Sequence, residues 1–295
     1  MIFDRALIRR RRRRAGSLGA ATFLLDRVAD DLVDRLAAVL RRFDLALDLG
    51  TSGEQVRTAL AALGSVGTIL RADAVVDEGS HNPGKFVAAD EEALPFGDAT
   101  LDLVVSALAL QFVNDLPGVL VQIRRALKPD GLFLGALIAG ETLTELRQAF
   151  AAAESEVEGG ASPRVAPFAD LRELGALLQR AGFALPVTDL DRVCVRYDSV
   201  FDLMRDLRRM GATNALNARR RAPLKRATLT RMAEVYAERF ADDDGRVRAT
   251  FEIVWLSGWA PHPDQQQPLR PGSARARLAD VLGTKEISTG EKAGR

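Results

Sequence analysis

Residues 43–54 (FDLALDLGTSGE) hold the residue types richest in chemical meaning in this chain. An apolar run at 45–49 is interrupted by Asp48 and ends at Gly50, with Gly53 close behind. That pattern predicts a strand turning sharply into a helix, with backbone amides left free to meet a ligand. Ligands of open α/β sheets bind beyond the carboxyl ends of the strands. Acidic residues stand at two further strand ends: Asp73, and the pair Asp90 and Glu91. A carboxylate after the second strand can take both hydroxyls of a ribose, because its two oxygens match a vicinal diol. One after the third strand, with neighbouring backbone groups, can receive the exocyclic amine of adenine. Singly, each acid reads equally well as the cap of the next helix; their order along successive strands favours a nucleoside. A phosphate-bearing nucleotide is disfavoured, since Glu54 places an acid at the turn and no phosphate-binding lysine follows.

The elements that position these residues follow from periodicity. Leu18, Phe23, Leu24, Val28, Leu32, Leu36, Val39 and Leu40 recur at helical spacing over residues 18–42. Strands are expected at 43–49, 68–70, 86–88, 101–106 and 132–138, with helices at about 53–63 and 116–127, the latter stopped by Pro129, Asp130 and Gly131. Residues 74–84 read as a turn. Such a series, with crossovers between most strands, predicts an α/β fold around a mostly parallel sheet covered on both faces. Helices at 141–158 and 168–181, a strand at about 184–195, helices near 199–210 and 223–240, and a last strand at 251–259 complete the pattern. The chain divides accordingly into a basic and amphipathic helical segment (1–42), a Rossmann-like core (43–198), a helical cap (199–245) over the ligand crevice, a final strand completing the core (246–260), and a proline-rich tail (261–295) whose end is expected to be disordered.

Of 295 residues, 47% are hydrophobic and the formal net charge is +1, which argues against a bulk nucleic-acid binder. The average hides an asymmetry: Arg5 and the arginines at 9–14, against Asp4, give the first fourteen residues a charge of +6. The plain expectation is a helix with a solvated arginine face. The patch also suits an acidic partner or an anionic membrane surface. No aromatic platform is interleaved with it, so the physics of stacking argues against nucleic acid as a ligand. The segment lacks the apolar stretch of a secretory signal, and its arginine-rich start matches an organellar presequence only in composition. No run of 18 apolar residues exists to span a membrane. Cys194 is alone, and His81 and His262 lie far apart, so neither a disulfide nor a metal site is expected. A cytoplasmic, metal-free protein fits best.

Three motifs carry a family resemblance: DEEALPF at 90–96, LDLVVS at 101–106 and IRRALKPDG at 123–131. They resemble the class I S-adenosylmethionine-dependent methyltransferases of the type 11 group, whose seven-stranded sheet has an antiparallel last strand. The two ends, IFDR at 2–5 with the following arginines and GWAPHP at 258–263 leading into PLRPGSA at 268–274, resemble the bacterial relatives of the mitochondrial complex I assembly factor 5 family. That family has a methyltransferase fold, is known for arginine hydroxylation of a complex I subunit, and is related to the malonyl carrier-protein methyltransferases of biotin synthesis. The resemblance implies S-adenosyl-L-methionine as cofactor and a respiratory-complex subunit as a possible acceptor. It assigns Asp48, Gly50 and Gly53 to the cofactor loop, Asp73 to the ribose, Asp90 and Glu91 to the adenine side, and Ser106 to the edge facing the methionine moiety. Gln111 and Phe112, just beyond strand four, fall in the acceptor pocket, and Tyr197 is placed with them. One departure stands out. The family loop reads Asp-x-Gly-x-Gly-x-Gly, whereas Ser52 and Glu54 replace the middle and last glycines here. Side chains at those positions are expected to crowd the methionine carboxylate, and Glu54 to repel it.

Methyl transfer from a sulfonium needs alignment and exclusion of water more than acid–base help. No catalytic residue is nominated. Asp115, Tyr197 and Tyr236 are candidates for a base, each with a structural reading as a cap or packing residue, and Met204 and Met210 read as ordinary helix packing. Hydroxylation requires dioxygen activation by a metal or flavin, for which the sequence shows no ligand triad and no fingerprint. A third reading makes the chain a non-catalytic assembly module.

Overall fold

The computed structural model describes residues 1–75, 85–262, 264 and 278–285. Its elements run α1 (Arg5–Ser17), α2 (Phe23–Ala37), β1 (Phe43–Leu49), α3 (Gln55–Ala62), β2 (Val66–Asp73), β3 (Phe86–Ala88), β4 (Leu101–Ala107), α4 (Leu116–Ala126), β5 (Leu127–Ala139), α5 (Thr144–Glu158), α6 (Leu171–Arg180), β6 (Ala184–Tyr197), α7 (Val200–Arg209), α8 (Arg226–Phe240), β7 (Val247–Trp259) and α9 (Leu278–Leu282). The chain up to Pro261 forms one unit, and α9 belongs to a second. Seven strands make one sheet in the order β3-β2-β1-β4-β5-β7-β6. The pairs from β3 to β5 are parallel, and β7 runs antiparallel to both β5 and β6. The expected α/β sheet with an antiparallel last strand is what the chain forms.

Both faces of the sheet are buried, which is why its central strands read as nearly continuous apolar runs. Along β7 the alternation is clear: Ala249, Phe251, Ile253 and Trp255 pack with α2, α5, α7 and α8, while Val254 and Leu256 face α4 and α6. The cap helices α7 and α8 sit on the first face through Leu203, Leu207, Met232 and Tyr236. Tyr236 is fully buried and its hydroxyl donates to the Arg248 carbonyl at 2.7 Å, tying α8 to β7.

Several boundaries move. β2 is longer than the expected 68–70 because it pairs with β1 from Phe43 to Leu49. Gly67 permits the close approach, since a Cβ there would lie 2.6 Å from the Asp44 carbonyl oxygen. Arg71 hid the strand from a purely apolar pattern: its guanidinium is held in the sheet by Glu54 and the Thr51 carbonyl. β5 begins at Leu127, before Pro129 and Gly131, and β7 begins at Val247, directly after the Asp242–Gly245 turn. The helical pattern expected over 18–42 resolves into α2 alone. The turn expected at 74–84 and the disordered end lie mostly outside the described residues.

The largest correction concerns α1. Phe3, Leu7 and Ile8 pack on Ala215 and Leu216 of the loop after α7, the Asp4 side chain accepts from the Leu7 amide, and the Asp4 amide donates to the Ala215 carbonyl. The arginine face at Arg5, Arg9 and Arg12 is therefore turned inward rather than solvated; Arg10, Arg13 and Arg14 keep the exposed side.

Loss of the buried Tyr236 hydroxyl leaves the Arg248 carbonyl without this partner. Tyr236→Phe is expected to lower unfolding stability by about 1–2 kcal/mol in a urea titration, with native secondary structure retained by circular dichroism.

Candidate active site

The turn after β1 is fixed from three sides. The Gly50 amide donates to the Ala72 carbonyl at 2.7 Å, Ser106 Oγ donates to the Leu49 carbonyl at 2.8 Å, and Thr51 Oγ1 accepts from the Ala107 amide at 3.1 Å. Gly50 has φ +71°, and a Cβ there would lie 2.9 Å from the Glu91 side chain and 3.1 Å from Ala109, so only glycine fits. Asp48 lies beneath the turn, fully buried, with neither carboxylate oxygen hydrogen-bonded. Burial pushes its pKa up to about 7.

Asp73 ends β2 and is 1% exposed. Its Oδ1 accepts from the Val75 amide at 2.8 Å and its Oδ2 from Arg12 Nη2 at 2.6 Å. Burial raises its pKa above the ordinary carboxylate value, although Arg12 opposes the shift. Beyond β3, Asp90 accepts from Arg5 at 2.6 Å, from Arg9 and from the Glu92 amide, while Glu91 pairs with Arg5 and lies 3.5 Å from Arg12 Nη1. Burial of Asp90 is outweighed by the Glu92 amide and by Arg5 and Arg9, which hold its pKa below the ordinary value. The three carboxylates at the strand ends are thus met by one face of α1.

Both side chains of the glycine-poor turn are held by arginines. Glu54 swings away to Arg71, at 2.9 Å, and to Arg57. Ser52 is exposed, and its Oγ accepts from Arg12 Nε at 3.0 Å.

A cavity of about 450 Å³ opens beside this turn. Gly53, Asp73, Gln111 and Phe112, all singled out from the sequence, line it together. Its far walls are apolar, with Leu24, Leu25, Leu143, Phe150, Met204 and Phe251 among them. Gln111 Nε2 donates to the Leu108 carbonyl at 2.7 Å, which leaves its buried Oε1 without a partner. Asp48, Gly50, Asp90 and Glu91 stand behind the lining rather than in it. Two expectations are corrected. Ser106 does not reach the cavity, because its hydroxyl clamps β4 to β1. Tyr197 does not line it either; its phenol is buried next to Asp206, and burial followed by that negative charge raises its pKa. Asp115 caps α4 by accepting from the Gly118 amide, and Tyr236 donates to the Arg248 carbonyl; neither lines the cavity. Met204 and Met210, expected as packing alone, line the cavity as well.

Sequence reasoning missed Arg12. The signal was present: Arg5, Arg9 and Arg12 are spaced i, i+4, i+7, one face of a helix, and three unpaired acids were waiting on the sheet. Among the described residues, no group of three or more histidines, cysteines or carboxylates could hold a metal ion, and no helix is long and apolar enough to cross a membrane.

Comparison with known proteins agrees with this geometry. Residues 47–135 match the family model described as a methyltransferase domain. The chain is 40% identical, over 95% of its length and 89% of the relative's, to the mitochondrial arginine-hydroxylase NDUFAF5 of Danio rerio. It is 41% identical to the malonyl-[acyl-carrier protein] O-methyltransferase of Laribacter hongkongensis, over 63% of this chain and 60% of that one. Its fold is shared with the solved structure of the YcgJ protein from Bacillus subtilis, at a TM-score of 0.52 and 17% identity, covering 79% of this chain and 98% of that chain.

The state of Asp48 sets a pH dependence. With the folded pKa at about 7 and the unfolded one near the ordinary carboxylate value, the folded chain binds the extra proton between them. Stability from this group is therefore greatest below the unfolded pKa and falls as pH rises toward about 7, staying low above it. Asp48→Asn is expected to remove that fall. The wild-type-minus-variant difference in unfolding free energy should decline from about pH 4 to about pH 7 in denaturant titrations.

Proposed function

The chain belongs to the family of the NDUFAF5 arginine hydroxylases, within the class I S-adenosylmethionine-dependent methyltransferases, and on that basis we propose that it transfers a methyl group to an acceptor held in the apolar cavity. The observation carrying this reading is the single cavity shared by the β1 turn, the β2-end carboxylate and the Gln111–Phe112 wall. S-adenosyl-L-methionine is the cofactor of the family, and the residues present fit it. Gly50 lets the turn close tightly on Glu91 and Ala109 behind the lining, and Asp73 reaches the cavity with a carboxylate suited to a ribose diol. In this reading Gly53 lets the backbone approach the methionine moiety, Asp48 supports the turn from below, and Asp90 and Glu91 hold the adenine side.

When bound, the cofactor would supply a methyl group already activated on a sulfonium. The chain's part is to position and to exclude water. Gln111 is fixed by the Leu108 carbonyl, and its unpaired Oε1 accepts from an acceptor N–H or O–H, aiming the lone pair. The apolar walls from α2, α5 and α7 take the rest of the acceptor and keep the site dry.

The similarity over nearly the whole chain to proteins named arginine hydroxylases favours a second reading, hydroxylation of an arginine side chain, on a respiratory complex I subunit as the family resemblance implies. The cavity wall supports the first. Asp73 is the one carboxylate among the described lining residues and already holds Arg12, while Arg71, Arg164, Arg208 and Arg209 also line it. A buried guanidinium substrate would lack a counter-ion there. A cytoplasmic setting, with a protein or small-molecule acceptor, belongs to this proposal.

Calorimetric titration tests it. Saturable binding of S-adenosylmethionine and S-adenosylhomocysteine is expected, weakened about tenfold or more in Asp73→Asn. No saturable heat with either compound at millimolar concentration overturns the methyl-transfer reading. Intact mass of candidate subunits, rising by one methylene or by one oxygen, separates the two chemistries.

A further inference from the structure

We propose that Arg12 binds the carboxylate of the cofactor's methionine moiety, supplying from α1 the positive charge that the glycine-poor turn lacks. This rests on the cofactor reading above.

The guanidinium is positioned before any ligand arrives. Nη2 donates to the Gly50 carbonyl at 2.9 Å and to Asp73 Oδ2 at 2.6 Å, and Nε donates to Ser52 Oγ at 3.0 Å. An arginine has five N–H donors, so two remain on Nη1. Glu91 Oε1 lies 3.5 Å from Nη1 as an ion pair, and Nη1 makes no hydrogen bond among the described residues. The side chain is only 14% exposed and lines the cavity beside Ser52 and Gly53. Its helix is held at both ends of this face. Arg5 and Arg9 anchor it to Asp90 and Glu91, and Arg11 donates to the Thr213 carbonyl at 2.7 Å.

Of the other cations on the cavity wall, Arg208 is exposed on α7 and makes no side-chain hydrogen bond or ion pair among the described residues, Arg71 keeps its buried Nε without a partner, and three hold partners elsewhere. Arg71 holds Glu54 and the Thr51 carbonyl, Arg164 holds Glu154, and Arg209 donates to the Gly19 carbonyl. Arg71 meets the turn at Thr51 and Glu54, whereas Arg12 meets it at Gly50 and Ser52 and has both Nη1 hydrogens outside any hydrogen bond among the described residues. The substitution that looked harmful also acquires a use: Ser52, standing where the family has glycine, provides the hydroxyl that orients Nε. Glu54 faces Arg71 and Arg57 instead of the cavity, so no acid on the turn competes for the same ligand. A carboxylate meeting a preset guanidinium in a mostly apolar cavity forms charge-assisted hydrogen bonds without further ordering of the side chain.

Two ligands isolate the contact. S-adenosylhomocysteine carries the amino-acid carboxylate, and 5′-deoxy-5′-methylthioadenosine keeps the adenosyl and thioether parts without it. Both are titrated calorimetrically into wild type and Arg12→Met, which keeps the stem and removes the fork, with Arg12→Lys as the conservative variant and circular dichroism as the check of folding. The expected result is a loss of about tenfold or more for S-adenosylhomocysteine in Arg12→Met, with methylthioadenosine changed less than about twofold and partial recovery in Arg12→Lys. Equal losses for both ligands would mark Arg12 as a support of Asp73 only and overturn the proposal. Tighter binding of both would overturn it too, showing the guanidinium to be a competitor for the site. Absence of binding of either ligand by the wild type would instead bring down the cofactor reading, and this proposal with it.

Discussion

The arrangement depends on a charge match between one helix face and three strand ends. Asp73, Asp90 and Glu91 are brought together because β2 and β3 end side by side at the carboxyl edge of the sheet. Left alone, the buried Asp73 and Glu91 and the half-buried Asp90 would repel one another and demand water. Arg5, Arg9 and Arg12 resolve this, and in doing so they make α1 part of the site. The near-zero net charge of the whole chain conceals this division of sign, in which the basic segment and the acidic sheet edge are complementary halves of one structure.

Much of the sheet was legible from sequence because its strands obey simple rules. Leu47, Leu49, Val104 and Phe133 must be apolar, since both faces of the sheet are covered, and Gly50 and Asp73 mark the strand ends by chemistry that local pattern exposes. What failed to show was long-range. Ser106 has the right position for the cavity edge, but its hydroxyl is drawn to the Leu49 carbonyl across the strand pair. Tyr197 ends β6 at the right height yet turns into the packing beneath α7. Nothing within a few residues of either position encodes those choices. Arg12 was obscured for the converse reason: six consecutive arginines look alike in sequence, and only the helix rotation distinguishes those facing the sheet from those facing water.

The glycine-poor turn illustrates how local and distant residues compensate. Replacing glycine by Ser52 and Glu54 adds side chains where the backbone should be open. Arg71, itself an unexpected charge inside β2, draws Glu54 aside, and Arg12 accepts the serine as a partner. Each substitution is answered by an arginine from elsewhere in the fold. The loop keeps the left-handed bend at Gly50 where no alternative residue fits.

The docking of α1 on Ala215 and Leu216 has a consequence for the chain's biogenesis. The arginine helix leaves the ribosome before its apolar seat, which is translated some two hundred residues later. The nascent polypeptide must therefore pass through an interval in which the strand-end acids and their cations both exist but the helix that carries the cations has no apolar seat. A helix made before its seat, and fastened only after it, makes completion of the site a report that translation has passed the loop after α7.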